Sequence, residues 1–160
     1  MSVIMGFLQA LPGLLQLTLE AGVLLLLPAL GGVLSERSGV TNIAMEGMML
    51  TGAFFAVVID LATRNPWIAT LAAIVAGGLM ALIHAVVSIR FHANQIISGF
   101  AINIFAGGLT AFLVDKLFNE SGGTDHVAAG ARLPYITVPV LSNIPFVGPV
   151  LFQQNIIVYV

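Results

Sequence analysis

Residues 65–114 read NPWIATLAAIVAGGLMALIHAVVSIRFHANQIISGFAINIFAGGLTAFLV. They contain two runs without Asp, Glu, Lys or Arg, of 25 residues (65–89) and 24 residues (91–114), and Arg90 alone separates them. A membrane crossing needs about 20 mostly apolar residues, so each run is long enough to cross. Helices are expected at roughly 67–89 and 95–116.

The whole chain agrees with this reading. Hydrophobic residues make up 59%, charged residues 8%, and the mean hydropathy is +1.07. Soluble domains carry about 25% charged residues; this chain could not cover a water-facing surface and reads as a membrane protein. A net charge of −2 with five Lys and Arg excludes a nucleic-acid footprint. Cysteine is absent, which excludes disulfides, thiolate metal sites and cysteine nucleophiles. His84, His92 and His126 have no carboxylate or histidine at ligand spacing, so no metal is expected. There is no phosphate-binding GxxxxGK[ST] motif, no nucleophile–base pair and no cofactor signature. An enzyme is not expected.

Working outward, 15–35 and 43–61 each read as one further span. Residues 1–13, MSVIMGFLQALPG, end in Pro-Gly and are read as an interfacial helix. Residues 1–19 lack the basic n-region of a cleavable signal, so the N-terminus is expected to be retained. Residues 117–149 are rich in proline and turn formers and read as a loop. An apolar run at 150–160 is too short to cross and reads as the start of a fifth span. The expected fold class is an all-α polytopic transmembrane bundle, about four spans plus the start of another. Arginines at 37, 64, 90 and 132 are spread too evenly for the positive-inside rule to orient it.

Ala69, Ala73, Gly77, Ala81 and Ala85 recur at every fourth position of the third span. Gly99, Asn103, Gly107, Ala111 and Asp115 do so in the fourth. Small residues at this spacing let membrane helices approach closely, and the two stripes are expected to make these spans neighbours. Asn103 has two readings, an interhelical hydrogen bond or a polar group lining a solute path. Glu20, His84, Asp115 and Lys116 lie near span ends, where interfacial or structural roles account for them.

Between the first two spans lies SERSGVTNIAMEG, residues 35–47, with three charges in a chain that has few. Thr41 or Asn42 can cap the helix that follows. Glu46 in its first turn meets the positive end of the helix dipole. Gly39 supplies a turn with positive φ. Capping alone does not explain charges between two apolar runs, which are expensive unless they face protein or a water-filled cavity. Transporters place broken helices there, with the N–H groups of a helix start toward the solute. Asn42, Glu46 and Asn103 are the candidate substrate-path residues, while Glu36 and Arg37 are read as holding the break.

GGVLSERSGVTNIAMEGMMLTGAFFA resembles the signature region of permease subunits of bacterial ABC importers, in the branch that takes up nucleosides and simple sugars. Glu36, Arg37, Gly39, Asn42, Glu46 and Gly47 match in register. Ala44 stands where glycine is commoner. ANQIISGFAINIFAGGLTAFL resembles a second block of that branch through Asn94, Ser98 and Gly99, and the loop before residue 155 is also similar. Members of the branch are about twice as long, so the resemblance implies the N-terminal half of a permease. It implies a bacterial plasma-membrane location, a separate ATP-binding subunit, a second permease subunit and an extracytoplasmic substrate-binding protein, with membrane lipid around them. A nucleoside is the first expected solute, then ribose-like sugars, then branched-chain amino acids. It would place the 90–95 turn in the cytoplasm and the 117–149 loop outside. A small self-contained channel or assembly protein is the alternative.

Overall fold

The computed structural model describes residues 2–119, 133–137, 139, 142 and 147–159. Its helices are α1 (Ser2–Arg37), α2 (Met45–Thr63), α3 (Pro66–Ala85), continued by a π-helical turn (Val86–Arg90), and α4 (Gln95–Phe118). Among the described residues, four segments are long and apolar enough to cross a membrane: Ala10–Arg37, Met45–Thr63, Pro66–Arg90 and Gln95–Phe118. The protein is an all-α polytopic membrane bundle.

Local chemistry sets the helix ends. Asn65 caps α3 by accepting from the Trp67 N–H at 3.0 Å, with Pro66 at the first helical position, where its missing N–H costs nothing. Asn94 caps α4 by accepting from the N–H groups of Ile96 and Ile97 at 3.0 and 3.3 Å. Arg64 (φ 53°) closes α2 and Asn119 (φ 55°) closes α4, both left-handed, donating to the carbonyls of Asp60 and Asp115. A two-residue connection, Arg64-Asn65, therefore turns α2 directly into α3.

The chain forms two compact units. In the unit Gly31–Arg132, α2 packs against both α3 and α4. Its core gathers Ala44, Met80, Ile102 and Ala106, flanked by Met48 and Leu109. Most large apolar side chains of these helices are exposed, as Leu71, Ile74, Ile97 and Ile104 are. In lipid such surfaces need no cover, so packing is carried by small residues rather than by a large apolar interior.

The two small-residue stripes do not face each other, contrary to the expectation from their spacing. A Cβ on Gly52 would lie 3.1 Å from the Ala73 carbonyl oxygen, and one on Gly77 would lie 3.3 Å from that of Met48, so the α3 stripe grips α2. On α4, a Cβ on Gly99 would lie 3.0 Å from Ile43 Cβ, while Gly107 meets nothing within 4 Å. Both stripes close on the middle helix and its start. Periodicity marks a close approach without naming the partner. α3 and α4 do meet at one end, where His84 Nδ1 and Ser98 Oγ lie 3.1 Å apart, both buried.

The other unit comprises Met1–Leu30 and Leu133–Val160. α1 is continuous through Pro12 and Pro28, whereas the Pro12-Gly13 pair read as a helix end. Proline interrupts a helix strongly in water, but membrane helices tolerate it. Tyr135–Thr137 (β1) and Gln153–Asn155 (β2) form a short antiparallel pair with Ile136 opposite Gln154, and β2 lies between the short helices α5 (Val147–Leu151) and α6 (Ile156–Tyr159). Residues 150–159 thus hold two helical pieces around a strand, not one continuous helix. Fully buried Gln154 donates to the Val150 carbonyl at 2.7 Å, and Gln16 of α1 donates to the Gln153 carbonyl at 3.4 Å. Much of the 117–149 loop, including His126 and Arg132, lies outside the described residues.

Candidate functional site: a helix start held from across the bundle

α1 ends at Arg37, and the backbone leaves the helix through Ser38, Gly39 and Val40. Ser35 Oγ donates to the Val40 carbonyl at 2.7 Å, Ser38 Oγ to that of Ser35 at 2.6 Å, and Gly39 takes φ +85°. A side chain would be strained at that φ, so the glycine is required by conformation and not by space. Glu36 and Arg37 are exposed.

The new helix begins at Met45, with Ala44 as its N-cap residue and no cap bond from the Ala44 side chain. Neither Thr41 nor Asn42 occupies the cap. Asn42 is two residues too early; its Oδ1 accepts from the Ala44 N–H at 3.0 Å and turns the chain into the helix. The capping bond comes from α4: Asn103 Oδ1 accepts from the Gly47 N–H at 2.8 Å, and Asn103 Nδ2 donates to the Ile43 carbonyl at 3.0 Å. One amide side chain thus satisfies a donor of the first turn and an acceptor just before it. Two turns earlier on α4, Gln95 repeats the arrangement. Its Oε1 accepts from the Thr41 N–H at 2.7 Å and its Nε2 donates to the Gly39 carbonyl at 3.3 Å.

Between these clamps the backbones come close. A Cβ on Gly47 would stand 2.9 Å from Asn103 Oδ1 and 3.0 Å from both Asn103 Cα and the Ile102 carbonyl oxygen. Gly99 is held equally tightly against Ile43 and Ala44. The irregular backbone before α2 is satisfied by two amide side chains of α4, Gln95 and Asn103, while Gly47 of α2 and Gly99 of α4 permit the close approach.

The structure brings together Gly39, Asn42, Gly47, Gly99 and Asn103, with Ser98 on the α3 contact and Asn94 as the α4 cap. Glu46 lies in the first turn of α2, exposed, with no hydrogen bond or ion pair among the described residues. Asn42 Nδ2 reaches only Met48 Sδ, a weak acceptor, at 3.7 Å. Sequence reasoning missed Gln95, whose spacing from Asn103 continues the Gly99 stripe by one step and was the available signal. It also passed over Asp60, a buried carboxylate near the α2 end whose Oδ1 has no hydrogen-bond partner among the described residues. His84 is buried, only 2% exposed, because α4 closes over it through Ser98.

Residues 14–152 match the family described as branched-chain amino acid transport system / permease component. The chain belongs to this permease family. Among relatives, the guanosine ABC transporter permease protein NupQ of Bacillus subtilis is 42% identical over 158 residues, covering 94% of this chain and 48% of the relative. The nucleoside ABC transporter permease protein NupC of Lactococcus lactis is 36% identical, covering 82% of this chain and 42% of the relative. A putative glucose ABC transporter permease protein of Haloferax volcanii is also 36% identical, covering 89% and 42%. The chain spans about half the length of these relatives or less. No solved structure matches it significantly.

Proposed function

We propose that this permease-family chain forms part of the translocation path of a nucleoside importer in the bacterial plasma membrane. ATP hydrolysis belongs to a separate ATP-binding subunit, a second permease subunit completes the path, and an extracytoplasmic binding protein delivers the solute. The observation that carries the reading is the 42% identity to a guanosine permease over 94% of the chain, with a nucleoside permease at 36%. The geometry adds a division of labour at the break. Both polar ends of Asn103 are engaged, one by Gly47 of α2 and one by Ile43 just before it, so Asn103 holds the helix start. The Asn42 amide keeps N–H donors without a strong acceptor, and it stands at the helix start, where it can meet a nucleobase edge or ribose hydroxyl.

The test is a chimera in which residues 14–152 replace the matching part of the Bacillus guanosine permease, expressed with the remaining subunits. Guanosine uptake, normalised to assembled complex, is expected to persist and glucose uptake to be absent. An assembled chimera that takes up glucose instead favours the solute class of the Haloferax relative. One that moves neither solute overturns the proposal.

A further inference from the structure

The connection from α3 to α4 is built unlike the other helix ends of its unit. Val86–Arg90 winds as a π-helical turn, with the Phe91 N–H donating to the Val86 carbonyl at 3.2 Å and the Ala93 N–H to that of Val87 at 3.2 Å. Such turns are rare and recur at functional sites, because the extra residue widens the helix and displaces side chains from its regular faces. Here an open hollow of about 320 Å³ lies beside it, lined by Ala85, Val86, Ile89, Arg90 and His92.

The lining has two chemical parts. Ala85, Val86 and Ile89 supply methyl groups, and Val86 and Ile89 are 40% and 59% exposed. Arg90 and His92 supply N–H donors at the chain end of the hollow. His92 is held there in the left-handed region at φ 53°, a conformation that histidine adopts less readily than glycine. Arg90 is exposed and makes no ion pair or hydrogen bond among the described residues. It also ends the apolar segment Pro66–Arg90, the depth at which a span passes from acyl chains to headgroups. A planar guanidinium binds phosphate oxygens in a bidentate fork, which an ammonium cannot do.

We propose that this hollow seats an anionic phospholipid, with its phosphate on Arg90 and His92 and the upper acyl chain along Val86 and Ile89. A methyl-lined floor ending in an unneutralised guanidinium at headgroup depth matches a phosphate joined to a hydrocarbon. A net negative headgroup is favoured over a zwitterionic one, because the latter brings a cation toward Arg90 and His92. The proposal does not depend on which solute the permease carries.

The test uses the full chain purified in neutral detergent, with mixed phosphatidylglycerol and phosphatidylcholine, and the first lipid retained read by native mass spectrometry. Phosphatidylglycerol is expected to be retained preferentially. Arg90→Gln is expected to reduce that preference by about fivefold, as removal of one cation at a lipid surface does. Arg90→Lys should recover only part of it, and Lys116→Gln, at the opposite end of α4, should leave it intact. His92→Asn keeps a residue tolerant of positive φ while removing the imidazole, so it serves if Arg90 variants do not fold; it too should lower the preference. Equal retention of the two lipids, or full preference in both Arg90→Gln and His92→Asn, overturns the proposal. Displacement of the lipid by millimolar inorganic phosphate also overturns it, since that makes the hollow a site for free phosphate.

Discussion

Replacing Asn103 by leucine tests the claim that α4 supplies the missing cap of α2. The substitution keeps the branching and heavy-atom count of the side chain and removes two hydrogen bonds, 2.8 Å to the Gly47 N–H and 3.0 Å to the Ile43 carbonyl. Interhelical hydrogen bonds in membranes average about 0.6 kcal/mol and reach ~1.7. Leaving the two backbone groups unpaired beside an apolar side chain adds a desolvation cost of about 1–3 kcal/mol. The sum is about 2–4 kcal/mol, local to the helix start. If opening of that start governs exchange, 2 kcal/mol makes the Gly47 amide exchange roughly thirty-fold faster. Hydrogen exchange of a peptide covering 43–50, in lipid nanodiscs, reads this directly, with a peptide near Ala111 as the control. Asn103→Asp separates the two bonds: its carboxylate still accepts from Gly47 while facing the Ile43 carbonyl without a donor. Gly47 should then stay protected although the protein is less stable. Unchanged Gly47 exchange in Asn103→Leu would refute the reasoning, because the N–H would have to be satisfied by something other than Asn103.

Three further expectations follow from the same geometry. Glu46→Gln, exposed and without a partner, should cost at most about 1 kcal/mol in thermal unfolding; a larger loss would mean that Glu46 holds something beyond the helix dipole. A cysteine pair at His84 and Ser98 should crosslink readily, whereas a pair at Gly77 and Gly107 should not, and the reverse result would restore direct pairing of the two small-residue stripes. In a complete importer, Asn42→Ala should weaken nucleoside uptake while complex level is preserved; normal uptake would leave Asn42 with its turn-forming bond to Ala44 alone.

The helices were legible because lipid imposes a simple requirement. Long charge-free runs such as 65–89 and 91–114 have few alternatives to crossing, whereas the caps at Asn65 and Asn94 emerged only with the structure. The site was legible in part. Gly39, Asn42 and Gly47 stand out as turn and contact residues in a polar stretch, but the partner of that stretch lies more than fifty positions away. The four-residue spacing to Gly99 and Asn103 puts Gln95 on the contact stripe, but it does not say that Gln95 clamps the break. The π-helical turn at Val86–Arg90 was illegible for a related reason, since VVSIR carries no residue that an α-helix could not hold. The continuity of α1 through Pro12 was illegible because a Pro-Gly pair reads locally as a helix end.

The two clamps also impose an order on synthesis. The backbone groups of residues 39–47 meet their partners 54 to 60 positions later in the chain, at Gln95 and Asn103. α2 and α3, joined by two residues, can leave the ribosome and enter the membrane as a hairpin while the polar stretch before them is still unsatisfied. Its carbonyls and N–H groups must then stay at the water boundary or against the insertion machinery until α4 has been translated. Only when that helix swings in do these groups find their partners. Maturation of this unit is therefore gated by its last helix, and a ribosome stalled with only residues up to about 90 inserted would hold a species whose 39–47 segment is still open to protease.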